Sequence, residues 1–315
     1  MHLLVTGANG FIGRCVCSAV SAREGFSLTA LSRRWDSHCI DYPSVHHITA
    51  DIETFISLPL RRGQPPDAVI HLAACAHKTI QPTCDELAVF RYANRDVTLL
   101  LARWAASNGV RRFVYVSSIA VNGNTTVPGQ LINESSPAAP RNAYAISKLE
   151  AEEGLRDIGA KMGLEICIVR PPLVYGPMAP GNFCKLVKLL QAGIPLPFAS
   201  LQNRRSFIYV ENLADALIRC ATQPEAANEL FVICDSTVST PELLRMMAAA
   251  MGLTLRLFPL PLPILRFPFT LARRTEILDK LTCNLEIDAS HARHVLRWRP
   301  HLSMKEALLK TFVSK

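Results

Sequence analysis

Short apolar runs alternate with longer amphipathic segments through the first half of the chain. The runs are rich in β-branched and aliphatic residues and are bounded by turn residues. They occupy 2–6, 27–32, 45–49, 67–72, 113–117 and 164–169. Between them, apolar residues recur at helical spacing over 12–23, 85–107 and 143–162. This alternation predicts an α/β fold with a doubly wound parallel sheet, because parallel neighbours need helical crossovers that cover both faces.

Beyond residue 170 the pattern becomes irregular, and six prolines lie between 171 and 197. A strand and a helix are expected around 208–221, another strand at 230–234, and helices at 241–251, 289–296 and 303–312. No linker separates the two parts of the chain. The sequence therefore predicts a sheet domain over 1–170, to which 205–235 returns, and a smaller, interleaved C-terminal lobe formed mainly by 171–315.

Composition narrows the class of partner. The chain has 315 residues, of which 49% are hydrophobic and 19% charged, as in globular proteins. Its net charge of +8 is scattered in short pairs such as Arg33-Arg34, without a basic tail or stripe. That distribution argues against nucleic-acid binding and fits an anionic small molecule.

No segment has the character of a signal peptide or a membrane span. The most apolar late stretch, 257–272, contains four prolines and Arg266. The ten cysteines form no C-x-x-C pair, and no His or Cys cluster has ligand spacing, so no metal site is predicted. We expect a cytoplasmic protein with reduced thiols and no integral membrane segment.

The first strand runs into a glycine-rich turn that opens a helix. The turn contains Gly7, Gly10, Phe11, Ile12 and Gly13. Glycines let the backbone approach a pyrophosphate, and the amino terminus of the helix adds unpaired N–H donors and a partial positive charge. In this position the turn predicts dinucleotide binding, which makes 1–170 a Rossmann-type NAD(P)-binding domain.

The end of the second strand bears on the choice of cofactor. NAD sites usually have an acidic residue there, whereas this chain has Ser32, Arg33 and Arg34. An arginine can pair with a 2′-phosphate, so NADP(H) is favoured. NAD(H) remains the alternative, with the arginines as solvated loop charges. We place Asp51 and Ile52 beside the adenine, where Asp51 accepts from the amino group or, alternatively, caps the next helix.

Tyr144 and Lys148 lie four residues apart on the predicted helix 143–162, so they share a face. A neighbouring ammonium is expected to lower the pKa of the Tyr144 phenol toward neutrality. The tyrosine can then exchange a proton with a substrate hydroxyl or carbonyl. Ser117 and Ser118 close the preceding strand, at the edge of a parallel sheet where ligands bind.

At this point the chain resembles the extended short-chain dehydrogenase/reductase family, in its nucleotide-sugar epimerase, dehydratase and reductase branch. The resemblance runs nearly end to end. It rests on TGANGFIG at 6–13, HLAA at 71–74, YVSSIAVNG at 115–123, YAISK at 144–148 and RPPLVYGP at 170–177. It implies an enzyme whose catalytic triad is Ser118, Tyr144 and Lys148, supported by Asn94.

The resemblance also implies contacts with the two ligands. The cofactor would lie along Leu72, Ala73 and Ala74, with Pro171 and Val174 beside the nicotinamide and with Tyr144 and Lys148 in contact with it. A UDP-linked sugar would contact Ser117, Ser118, Asn182 and Arg205, although Arg205 has a surface structural role as its alternative. The resemblance further implies a homodimer paired through helices 85–107 and 143–162, although the apolar faces of these helices also serve the core of the single chain.

Two reactions fit the same triad. Arg33-Arg34 favour an exchanging NADPH, and thus a 4-ketoreductase, over the alternative, a UDP-glucose or UDP-GlcNAc type 4-epimerase with retained NAD. The SSIAVNG and GNF patterns resemble a bacterial subgroup that acts on UDP-4-keto-6-deoxy-N-acetylhexosamines in O-antigen (lipopolysaccharide) synthesis. Ile119-Ala120 lack the acids of a dehydratase, and intact Tyr144 and Lys148 argue against a cofactor-sensing regulator.

Overall fold

A computed structural model of the protein describes residues 1–35, 45–59, 64–76, 85–271 and 275–313. Its strands are β1 His2–Thr6, β2 Ser27–Ser32, β3 Val45–Thr49, β4 Ala68–His71, β5 Arg112–Val116, β6 Glu165–Arg170, β7 Leu173–Tyr175, β8 Arg205–Tyr209, β9 Leu230–Val232 and β10 Ser236–Val238. Its α-helices are α1 Phe11–Ser21, α2 Ile52–Ser57, α3 Glu86–Arg91, α4 Val97–Ser107, α5 Ala143–Met162, α6 Asn182–Gln191, α7 Val210–Thr222, α8 Thr240–Ala250, α9 Leu262–Leu271, α10 Thr275–Thr282, α11 Ser290–Val295 and α12 Met304–Val313.

Seven strands form one parallel sheet in the order β3-β2-β1-β4-β5-β6-β9. Both faces are covered, since Leu3 and Ile70 belong to one buried cluster and Leu4 and Val69 to another. Strand order reverses between β1 and β4, which opens a crevice at their carboxyl ends. The predicted doubly wound parallel α/β fold is confirmed.

The second lobe is built around a three-stranded sheet in the order β10-β8-β7. β8 pairs antiparallel with β10 and parallel with β7. A separate core, which includes Leu190, Phe207, Leu244 and Leu308, fills the space between this sheet and helices α6, α8 and α12. Within 205–235, β8 lies in the small sheet, whereas α7 packs on α1 and β9 pairs with β6.

The predicted helix 85–107 contains a widened turn. After α3 the backbone passes through a π-helical turn, Tyr92–Asp96, and continues as α4. This turn buries Asn94, whose main-chain oxygen accepts hydrogen bonds from the hydroxyls of Thr98 and Tyr115 at 2.7 and 3.3 Å. Apolar periodicity does not reveal the turn, because the α-helical pattern resumes on either side of it.

Several short elements were not predicted from the sequence. Strands β7 and β10 have three residues each, too few to show an alternation. Helix α6 follows a proline-rich stretch and begins directly after Gly181, whose φ is +72°. In the part of the chain that the structure describes, no helix has both the length and the apolar character that crossing a membrane requires.

Candidate active site

The glycine turn after β1 lies where the crevice opens. Gly7 has a φ of +67°, and a Cβ atom there would lie 2.7 Å from the main-chain nitrogen of Ala73. A Cβ atom on Gly13 would lie 2.2 Å from the carbonyl oxygen of Gly7. No side chain caps α1 at Gly10, so its first N–H groups point out of the turn. The cradle therefore fits the pyrophosphate of a dinucleotide.

The end of β2 presents two arginines beside this turn. The Ser32 hydroxyl donates to the main-chain oxygen of Arg34 at 2.8 Å, and the side chains of Arg33 and Arg34 are exposed. Asp51 caps α2 by accepting from the Thr54 N–H at 2.7 Å. Hydrogen bonds from Thr54 and, more weakly, the charge of Arg33 hold the pKa of Asp51 below its usual range. Of the two roles considered for Asp51, a hydrogen bond to the adenine or the cap of the next helix, the structure shows the cap.

Ser118, Tyr144 and Lys148 meet at the carboxyl end of β5. The Ser118 hydroxyl is close enough to the Tyr144 phenol to act on it as a hydrogen-bond donor that lowers its pKa. The Lys148 side chain is buried, and its ammonium donates to the main-chain oxygen of Val116 at 2.9 Å. The same ammonium lies 4.6 Å from the centre of the Tyr115 ring. A phenol, a hydroxyl and an ammonium are the groups that proton exchange with a substrate oxygen requires.

Burial decides the protonation of these groups. It raises the pKa of Tyr144 to about 12, and the hydrogen bond from Ser118 offsets only part of that rise. It lowers the pKa of Lys148 to about 7, against the opposing charge of Glu152. The prediction that Lys148 lowers the pKa of Tyr144 toward neutrality is therefore wrong, because desolvation of the phenolate dominates and the ammonium faces Val116.

Asn94 supports the first turn of α5 from the widened turn before α4. Its side-chain oxygen accepts from the Cys75 N–H at 2.7 Å, and its amide nitrogen donates to the Ser147 hydroxyl oxygen at 3.0 Å. The Ser147 hydroxyl in turn donates to the main-chain oxygen of Tyr144 at 2.8 Å. Asn94 thus ties the loop after β4 to the helix that carries Tyr144.

His71, the first residue of the HLAA motif, is wholly buried at the end of β4. Its Nδ1 lies 2.6 Å from the Thr6 hydroxyl, and its Nε2 lies 2.9 Å from that of Thr98. Burial, aided by the charge of Lys148, lowers the pKa of His71 to about 3. The ring is therefore a neutral link between β1, β4 and α4.

A buried network that was not predicted from the sequence lies beneath Lys148. Glu152, one turn further along α5, accepts from the Ser117 hydroxyl at 2.5 Å and from Arg170 Nε at 2.9 Å. Arg170 also donates to the side-chain oxygen of Asn122 at 3.0 Å. The Ser117 hydroxyl is occupied by Glu152, which argues against the substrate contact predicted for Ser117. The usable signal was the four-residue spacing of Lys148 and Glu152.

The other predicted ligand-binding residues lie around the second lobe. Arg205 begins β8 and donates to the main-chain oxygen of Cys283 at 3.0 Å, while burial lowers its pKa. Asn182 is exposed at the start of α6, Pro171 is buried, and Val174 is partly buried in β7. Among the described residues, neither Arg205 nor Asn182 bonds to the triad, and no three His, Cys, Asp or Glu side chains gather as metal ligands would.

Known proteins resemble the chain over nearly all of its length. The profile of the NAD dependent epimerase/dehydratase family matches residues 3–234. A UDP-glucose 4-epimerase of Vibrio cholerae is 33% identical over 316 residues, which cover 98% of this chain and 94% of the relative. An N-acetyl-α-D-glucosaminyl-diphospho-ditrans,octacis-undecaprenol 4-epimerase of Escherichia coli O157:H7 is 30% identical over 217 residues, 68% of this chain and 61% of that protein.

Solved structures show the same architecture. A UDP-glucose 4-epimerase of Thermotoga maritima, crystallised with UDP-glucose, matches with a TM-score of 0.78 at 21% identity. The match covers 99% of this chain and 98% of the other. At that identity the likeness establishes the shared fold, and the reaction must be argued from the closer sequence relatives.

Proposed function

Because the chain belongs to the NAD dependent epimerase/dehydratase family, we propose that it interconverts UDP-sugars at C4 as a 4-epimerase with a retained NAD. The observation that carries the proposal is the full-length, 33% identity with a protein named as a UDP-glucose 4-epimerase. A second 4-epimerase among the relatives, named for a diphosphate-linked N-acetylhexosamine, supports the same reaction class. The preference drawn from Arg33-Arg34 for a 4-ketoreductase is thereby reversed.

The residues of the triad supply the proton chemistry of this reaction. Tyr144, beside the Ser118 hydroxyl, accepts the proton of the C4 hydroxyl as C4 is oxidised and returns it as the ketone is reduced, while the Ser118 hydroxyl also holds the C4 oxygen. Lys148, one turn further along the same helix, places a positive charge at the main-chain oxygen of Val116 while its amine is protonated. A nicotinamide, when bound, supplies the hydride acceptor and donor.

Different features would hold the pyrophosphate and the adenosine half of the cofactor. The cradle of Gly7, Gly13 and the uncapped start of α1 would hold the pyrophosphate. Arg33 and Arg34 would border the adenosine ribose. Their exposure is the one observation that favours a second candidate, an NADPH-dependent 4-ketoreductase acting on a UDP-4-keto-6-deoxy-N-acetylhexosamine.

The two candidates are separated by whether turnover consumes cofactor. The purified protein is incubated with UDP-glucose or UDP-N-acetylglucosamine without added cofactor, and the products are resolved by NMR. We expect a mixture of C4 epimers, and we expect NAD rather than NADP to be released on denaturation. Stoichiometric oxidation of NADPH by the 4-keto sugar, without interconversion of UDP-sugars, would overturn the epimerase in favour of the reductase.

We further propose a cytoplasmic homodimer that serves O-antigen synthesis, paired through α5 and the helices at 86–107. Support comes from the family resemblance and from the lipid-linked sugar in the name of the Escherichia coli relative. Light scattering should give twice the chain mass of 34.7 kDa. A single-chain mass at micromolar concentration would exclude the dimer.

A further inference from the structure

Two side chains, one helical turn apart, join α5 to the end of β5. The Lys148 ammonium donates to the main-chain oxygen of Val116 at 2.9 Å, and Glu152 accepts from the hydroxyl of the next residue, Ser117, at 2.5 Å. Ser118 follows directly. The two bonds therefore set the register between the helix that carries the lysine and the strand end that carries the serine.

Arg170 fixes Glu152 from the neighbouring strand. Its Nε donates to Glu152 at 2.9 Å and its Nη2 bonds the second carboxylate oxygen, while its Nη1 donates to Asn122. The side chains of Glu152 and Arg170 are 0% and 5% exposed, so each charge depends on the other, while a second, half-exposed cation, Arg156, lies 4.0 Å from Glu152. Asn122 continues the network to the main-chain oxygens of Ser136 and Pro137, in the loop before α5.

We propose that Glu152 is a positioning residue, which, held by Arg170, keeps Lys148 and the strand end bearing Ser118 in register for proton transfer. The proposal deepens the proposed 4-epimerase function and rests on it. Glu152 reaches the reacting groups only through Lys148 and Ser117, so it neither gives nor takes the proton at C4.

The charges around Lys148 give the proposal a measurable signature. Lys148 is faced by the ring of Tyr115 on β5, by the neutral His71 on β4, and by Glu152 on its own helix. Tyr144, one turn before it, is uncharged in the free protein, because burial raises its pKa to about 12. Among these described groups Glu152 alone carries a negative charge, which raises the pKa of Lys148 against the effect of burial. Removing that charge should make Lys148 lose its proton at lower pH.

A matched pair at the opposite end of the same strands provides the control. Arg112 donates to Glu165 at 2.6 and 2.8 Å, and the Arg112 side chain is 1% exposed. Glu165→Gln therefore makes the same chemical change beside a buried arginine, away from the triad. Glu152→Asp restores the charge that Glu152→Gln removes.

The test measures kcat on UDP-glucose as a function of pH. In parallel, NMR of protein with labelled lysines follows the ionisation of Lys148, whose signal is identified by its loss in Lys148→Met. Glu152→Gln should lower kcat roughly 10- to 100-fold with little change in KM. It should also move both the alkaline limb of kcat and the Lys148 titration to lower pH. Glu152→Asp should keep both near their parental pH, and Glu165→Gln should alter neither.

A folded Glu152→Gln protein with parental kcat and a parental Lys148 titration would overturn the proposal, as would equal shifts in Glu165→Gln. If Glu152→Gln does not fold, Ser117→Ala tests the proposal instead, because it leaves the ion pair of Glu152 and Arg170 intact. We then expect kcat to fall roughly two- to tenfold, which corresponds to the loss of one hydrogen bond. An unchanged kcat in Ser117→Ala would refute the positioning role of Glu152. A parent protein inactive on UDP-sugars refutes the epimerase, while the NMR titration still tests Glu152.

Discussion

A buried arginine forms an ion pair at each end of strands β5 and β6, and the two ion pairs differ in their surroundings. At the amino ends, Arg112 pairs with Glu165, its neighbour in register, and also donates to main-chain oxygens at and just beyond the end of α7. At the carboxyl ends, Arg170 pairs with Glu152 of α5, one turn from Lys148. Similar chemistry thus ties strands to a helix at both ends.

The solvent exposure and the neighbours of the two glutamates distinguish a structural ion pair from one beside the candidate active site. Glu165 is 30% exposed, so water shares its charge, whereas Glu152 has no exposure and adjoins the reacting groups. In a parallel α/β sheet ligands bind at the carboxyl ends of the strands. We therefore expect changes at the amino end to alter stability alone, and changes at the carboxyl end to alter stability and catalysis together.

The largest effect should come from Tyr144→Phe, which removes the proton donor at the carboxyl end. We expect kcat to fall about 1,000-fold, within the range for a general acid or base. The free energy of unfolding should change little, because the ring keeps its edge-to-face contact with Phe90. Tyr92→Phe, the same change at an exposed tyrosine, should leave kcat as it is. Equal activity of Tyr144→Phe and parent protein would remove Tyr144 from the mechanism.

The next largest difference should appear when each of the two ion pairs is broken. Arg170→Met leaves the buried Glu152 with the Ser117 hydroxyl and a half-exposed Arg156 guanidinium 4.0 Å away, so unfolding free energy should fall by about 3–5 kcal/mol and kcat should fall as well. Arg112→Met leaves a partly hydrated Glu165, so the loss should be about 1–3 kcal/mol with kcat unchanged. Urea unfolding and steady-state kinetics on the same preparations measure both. A larger kcat loss in Arg112→Met than in Arg170→Met would reverse the comparison.

The pH dependence of stability should report the buried lysine at the carboxyl end. The pKa of Lys148 is about 7 in the folded protein, against an ordinary value of 10.5. Between those values the unfolded chain holds the proton more tightly, so stability relative to Lys148→Met should rise with pH. Urea unfolding at about pH 7 and about pH 9.5 measures the change. Lys161→Met, at an exposed lysine of the same helix, should show no such trend.

The smallest effect should appear at the end of β2, where the charges are exposed. Replacing Arg33 and Arg34 by serine should weaken NADPH binding roughly three- to tenfold, because exposed charge pairs contribute little. NADH binding should stay the same. Fluorescence titration of both nucleotides provides the measurement. An unchanged ratio of NADPH to NADH affinity after both replacements would show that these arginines do not contact a 2′-phosphate.

The sheet and the glycine turn could be predicted closely because their signals are local. Strands β1, β2 and β3 and helix α5 have the predicted bounds, since apolar runs and helical spacing are read from neighbouring residues. The widened turn at Asn94 was not predictable, because its cause lies in what Asn94 bonds to, Cys75 and Ser147. Strands β7 and β10, with three residues each, fell below what periodicity can detect, whereas helix α6 was missed although Phe183, Leu186 and Leu190 recur at helical spacing.

The sequence by itself determined the family and the doubly wound sheet, and it predicted the triad of Ser118, Tyr144 and Lys148, because these inferences rest on short motifs that follow one another in order along the chain. Only the tertiary structure decided the protonation of the site and the partners of Lys148. Burial by the whole fold raises the pKa of Tyr144 and lowers that of Lys148, and no local spacing reports burial. The pairing of Glu152 with Arg170 joins a helix to the next strand of the sheet, so it exists only once both are packed.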